Sequence, residues 1–209
     1  PVPKATTRTT STVQHTVQTT LTTTPNNPVG DYMIRQSNGL RIWSNNVNGI
    51  KAADNFADFQ QLCEQLKVNQ VDVIALQEIN LDTTQHYVRQ RLKKILRDTF
   101  GIACLVTATS PIRAPNTYKP GGVLLAVVGP KCQSVLKART TRDELGRWCS
   151  MTLEGRCGKL FQIYSVYQCI DTTIATAGKT TFFAQQYSVL KASGIRDPKP
   201  RQQFIKDLL

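Results

Sequence analysis

Between Leu40 and Glu78 the spacing of apolar residues changes period twice, and this limits the fold more than any other feature of the sequence. "LRIWS" (40–44) alternates as a strand does. "FADFQQLCEQLKV" (56–68) then puts Phe59, Leu62, Cys63 and Leu66 on one helical stripe, with Asp54 and Asn55 placed to cap it. "VDVIALQE" (71–78) is a short apolar run that breaks into polar residues. A strand, a helix and a strand of these lengths predict a βαβ-type layer on a buried sheet.

The rest of the chain continues in the same manner. A second helix is predicted over 83–97, with Val88, Leu92, Ile95 and Leu96 as its apolar stripe and Arg89, Lys93 and Arg97 as a basic edge that reads as a solvated face. "ACLVTAT", "GGVLLAVV", "CQSVLKA", "RWCSMTL" and "KLFQIYSVY" follow as strands, divided by turn signals around Pro111 to Pro120, Gly129-Pro130, Asp143 to Gly146 and Gly155 to Gly158. They predict antiparallel sheet. After Gly178 the pattern is helical again, with Phe183, Tyr187 and Leu190 in register and a break at Gly194. A last helix starts in "DPKPRQQFIKDLL", with Asp197 as its cap. No stop signal closes that helix, so the sequence reads as cut within an element, which predicts an incomplete domain. Residues 1–37, threonine-rich and without Asp or Glu as far as residue 30, predict a disordered tail or linker in which His15 is solvated. The domain proper is expected over 38–209.

Composition excludes several classes. A hydrophobic content of 40% over 209 residues suffices for a core. No apolar run approaches the roughly 20 residues of a membrane helix, and the first residues have no signal-peptide segment, so no membrane partner is expected. A net charge of +12 favours a polyanionic partner such as nucleic acid or an anionic membrane surface. The six cysteines form no C-x-x-C pair, and His15 and His86 are the only histidines, which argues against zinc. Most of the cysteines lie in apolar segments and read as small buried hydrophobes in a reducing compartment.

Two polar stretches stand where strands end. "SNNVNGI" (44–50) brings Asn45, Asn46 and Asn48 after the first strand, and Glu78 closes the next. Ligand sites of α/β sheets gather at the carboxyl ends of strands, so neighbouring strands would set Asn46 beside Glu78. A carboxylate there suits a hard cation such as Mg2+. Taken singly, Glu78 also reads as an exposed strand end and the asparagines as a turn.

The ordered series "LRIWSNNVNGI", "VDVIALQEIN", "YKPGGVLLAV", "DELGRWCSMTL" and "FQIYSVYQC" resembles the endonuclease/exonuclease/phosphatase superfamily, the fold of DNase I, and within it the endonuclease modules of LINE-type retrotransposons. The resemblance spans about residues 38–209 and rests on motif order. It implies part of a four-layer α/β sandwich, two packed mixed β-sheets flanked by helices, with the C-terminal part missing. It implies that Asn46 orients the acidic groups, that Glu78 binds Mg2+ (or Mn2+) with Asn48 beside the metal, and that Tyr167 reaches the scissile phosphate. Gly121 and Gly122 would let the sheet pass close to the site, and Arg147 would be either structural or substrate-binding. His86 falls in the family's non-catalytic stretch.

The implied partner is DNA, or RNA, with a downstream reverse-transcriptase domain and an intracellular, nuclear location in a eukaryote. In place of the family's proline after the tyrosine stands Gln168-Cys169, and its later G-D-x-N and S-D-H motifs do not occur. Hydrolysis needs an activated water and help for the leaving oxygen as well as a metal, so the 209 residues alone are expected to be inactive and marginally stable, with the sheet's apolar face largely uncovered. A non-catalytic binding remnant and a relative acting on phosphoinositides or RNA tails are the alternatives.

Overall fold

The computed structural model describes residues 39–112, 116–170, 172–174, 176, 178 and 180–208, all within one compact unit. The expectations for residues 1–37, including His15, lie outside the described residues. The chain is an α/β sandwich of two sheets with helices.

The first sheet has the order β1 (Ile42–Asn46), β2 (Val73–Gln77), β4 (Val123–Val128), β3 (Ala103–Ala108). β1 and β2 are parallel and are joined by α1 (Ala57–Val68), the βαβ unit the sequence predicts; β4 runs antiparallel to both β2 and β3. The second sheet is β5 (Thr141–Arg142), β6 (Trp148–Glu154), β7 (Leu160–Val166), antiparallel throughout rather than mixed.

Alternation along β4 explains the layering. Leu124, Ala126 and Val128 face a core built with Phe59, Cys63 and Leu66 of α1 and Val88, Leu92, Ile95 and Leu96 of α2 (His86–Phe100). Val123, Leu125 and Val127 face the other way, against Cys149, Met151 and Leu153 of β6. A strand buried on both faces is what a continuous run of Val, Leu and Ala supports. The second sheet therefore covers the inner face of the first over β2, β4 and β3, more of it than expected, while along the edge strand β1 that face stays open: Ile42, opposite Val73, is 51% exposed. α3 (Phe182–Ala192) and α4 (Pro200–Leu208) pack on each other beside the turn that precedes β6.

Some local expectations fail for identifiable reasons. Asp54 and Asn55 do not cap α1. They and Phe56 take left-handed conformations (φ 48°, 59° and 65°) that turn the chain and bury the Phe56 ring completely. "CQSVLKA" is not a strand: Pro130 opens a 3-10 turn over Gly129–Ser134, another covers Lys137–Arg139, and only Val135 bridges to Leu153. The last helix starts at Pro200, not beside Asp197, since a residue before proline is pushed out of the helical region. None of the six cysteines is in a disulfide, and Cys63, Cys132, Cys149 and Cys169 are buried. No described helix is long and apolar enough to cross a membrane.

Candidate active site

Parallel pairing of β1 with β2 puts Asn46 opposite Gln77, one residue from Glu78. At that point the β2–β4 ladder breaks. Gln77 still pairs with Val123, whereas Ile79 N–H donates to Gly122 O at 3.2 Å and Asn80 N–H to Gly121 O at 2.9 Å. The resulting bulge leaves Glu78 and Asn80 in left-handed conformations, φ 55° and 53°, on either side of the fully buried Ile79. A bulge of this kind re-aims side chains. Left-handed backbone at a glutamate carries strain of about 1–3 kcal/mol, which the surrounding sheet must hold in place.

Three of the predicted residues meet here. Asn46 Nδ2 donates to Glu78 Oε2 at 2.8 Å, and Asn46 Oδ1 accepts from Asn48 N–H at 3.0 Å. Both ends of the Asn46 amide are thus engaged, so its Nδ2 is held on the Glu78 carboxylate and orients it. Tyr167, at the end of β7, is placed by its N–H donating to Arg147 O at 2.7 Å and by its ring lying 5.3 Å from that of Phe182. Burial, the charge of Glu78 and a hydrogen bond to Glu78 push its phenol up to about 12, so at neutral pH Tyr167 is a donor. Asn46, Glu78 and Tyr167 line one cleft of about 570 Å³, with Asn80, Tyr118, Gly121, Thr181 and Phe182 among its other walls.

Gly121 lets this wall close. Its φ is +78°, and a Cβ there would lie 2.3 Å from the Phe182 ring. Gly122, at φ +80°, is equally confined, with Thr109 Cγ2 2.8 Å from its own notional Cβ. The two glycines bring α3, the bulge and β7 around one opening.

Other predicted residues are placed elsewhere. Asn48 does not line the cleft, and its backbone N–H rather than its side chain takes part. His86 is the exposed first residue of α2. Arg147 does not face a substrate: it is 3% exposed, bonded through Nε and Nη2 to Asp143 at 2.8 Å each and through Nη2 to Asp207 at 2.7 Å, with its guanidinium over the Phe204 ring. It joins the β5–β6 turn to α4, the structural alternative, and touches the site only through its carbonyl. Asn80 was missed, although the strand period of two from Glu78 could have pointed to it.

A metal fits this donor set in a limited way. Among the described residues no three His, Cys, Asp or Glu side chains cluster into a cage. Glu78 is a hard oxygen donor held by two partners, and Mg2+ is commonly bound through one or two carboxylates, substrate phosphate and water.

No protein-family profile matches the sequence, and no curated protein matches it. The chain is similar to a solved structure described as an endonuclease/exonuclease/phosphatase family protein from Leptotrichia buccalis C-1013-b, at a TM-score of 0.42 and 18% identity. The similarity covers 76% of this chain and 65% of that one, so the chain spans less than two thirds of that protein's length.

Proposed function

We propose that this chain carries the metal-binding and phosphate-orienting side of a phosphodiesterase site of the endonuclease/exonuclease/phosphatase type, and that its substrate is nucleic acid. The convergence of Asn46, Glu78 and Tyr167 on one cleft carries the reading. Glu78 is the residue that would hold Mg2+ or Mn2+. When bound, the metal neutralises charge growing on the phosphate oxygens and polarises water. Asn46 fixes the carboxylate in one orientation, so no side-chain entropy is lost when a ligand arrives. Tyr167 gives its one phenolic proton to Glu78 in the free protein and would turn that proton to a phosphate oxygen when substrate enters. The net charge of +12 supports a polyanionic substrate, because phosphate contacts dominate affinity for nucleic acid.

Within that class we favour DNA over RNA, and a nick that exposes a 3' hydroxyl for a reverse transcriptase in the same protein and in the nucleus. The order of the sequence motifs supports this choice. The test is nicking of supercoiled plasmid with Mg2+ by the protein in its natural full length and by its Glu78→Ala variant. Loss of about 100-fold or more in rate is expected, as for removal of a group acting on transition-state charge. Equal nicking by both would remove Glu78 from the mechanism.

A further inference from the structure

Asn80 stands two residues beyond Glu78, in the wall of the same cleft. Its amide orientation is fixed, because Oδ1 accepts the Gly121 N–H at 2.8 Å and so Nδ2 must point the other way. There Nδ2 lies beside Gly49, where a Cβ would come within 3.2 Å of it and where φ +105° requires glycine. No hydrogen-bond acceptor for Nδ2 occurs among the described residues, and the atom is not sealed from solvent. A donor left open in a cleft is completed by water or by a ligand.

The chemistry of the group narrows the ligand. An amide nitrogen does not ligate a cation, so the open Nδ2 end of Asn80 serves an acceptor, while Oδ1 is turned to the Gly121 N–H. Glu78 alone would repel an anion from this cleft, and Asn80 is the neighbouring donor that offsets the repulsion. The two side chains flank Ile79 from matching left-handed positions, which an asparagine tolerates far better than most residues. We infer that Asn80 is a substrate-contact residue whose Nδ2 donates to a non-bridging oxygen of the phosphodiester lying between Glu78 and Tyr167. This inference rests on the reading of the cleft as a phosphodiester site.

Asn80→Asp separates the contact from the fold. Aspartate keeps the acceptor for Gly121 N–H and tolerates the left-handed backbone, but it presents oxygen where the donor stood. Binding of a short fluorescein-labelled DNA duplex, followed by anisotropy at low salt in EDTA, is expected to weaken about tenfold or more, with Tm kept within about 2 °C. Asn45→Asp, which adds the same charge on the exposed face of β1, controls for simple repulsion and should change affinity less than about threefold. Asn80→Ala should lose both affinity and Tm.

Asn80→Asp binding as tightly as wild type, or weakening no more than Asn45→Asp, would overturn the contact. So would a wild type that does not bind the duplex. Binding is read without metal, so a protein that binds but hydrolyses nothing defeats the functional reading alone. Glu78→Gln, expected to bind the duplex more tightly while losing hydrolysis, distinguishes the two.

Discussion

Tyr167 and Glu78 report on each other. An ordinary phenol titrates near 10, and in the fold burial first, then the charge and hydrogen bond of Glu78, push Tyr167 up to about 12. Because the folded value is the higher one, its contribution to stability is full below about pH 10 and is lost as pH rises through about 12. Ultraviolet titration of the wild type should show a late tyrosine that disappears in Tyr167→Phe. In Glu78→Gln the late transition should move down but stay above the ordinary value, since burial, the largest cause, remains. A Glu78→Gln titration identical to wild type would separate the two side chains. At this scale the sequence was legible where spacing carries direction: a strand period brings Asn46 and Glu78 to one sheet end. Arg147 was legible only in part: Asp143, four residues before it, takes two guanidinium bonds, but the third goes to Asp207, which no local pattern connects to it.

The elements meet at the cleft through a buried ion pair that the sequence did not advertise. Lys119 Nζ lies 2.8 Å from Asp82 Oδ1, both side chains are 1% exposed, and Lys119 also donates to Ser110 O. Together with the Leu81–Tyr118 bridge, the pair ties the segment before β4 to the one before α2, and Tyr118, Pro120 and Gly121 of that segment form a cleft wall. Burial alone would raise the Asp82 carboxyl, but hydrogen bonds from Lys119 and Thr84 and the charge of Lys119 hold it below its ordinary value. With the folded value the lower one, this stability is present above the ordinary carboxylate range and is lost as pH falls through the folded value.

Lys119→Met should cost about 3–5 kcal/mol by stranding the carboxylate. Adding Asp82→Asn should recover much of that in a denaturant-unfolding cycle; a double variant as unstable as the single one would show that the pair acts by packing alone. Helices and long strands were legible from their stripes. The turns over Gly129–Ser134 and Lys137–Arg139 were not, since Val135 and Leu136 are strand-like and do take extended backbone, but only for the two residues between the turns.

At the scale of the whole molecule the decisive strand is β4. Its six residues are divided between the helix-facing core and the sheet-facing core, so neither core can be lost without exposing one side of the same strand. This coupling predicts one cooperative transition, where an uncovered sheet would melt in stages. Leu92→Ala removes a fully buried side chain from the first core and Met151→Ala one from the second, each costing about 2–5 kcal/mol. For a chain of this size each should lower Tm by roughly 2–4 °C per kcal/mol lost. In differential scanning calorimetry both variants should keep a single peak, with calorimetric and van't Hoff enthalpies in agreement. The two residues belong to separate core clusters, so their combined effect should equal the sum to within about 0.5 kcal/mol. A second peak in Met151→Ala, with the Leu92 core melting at its wild-type temperature, would mean that the two cores unfold independently and that β4 does not couple them.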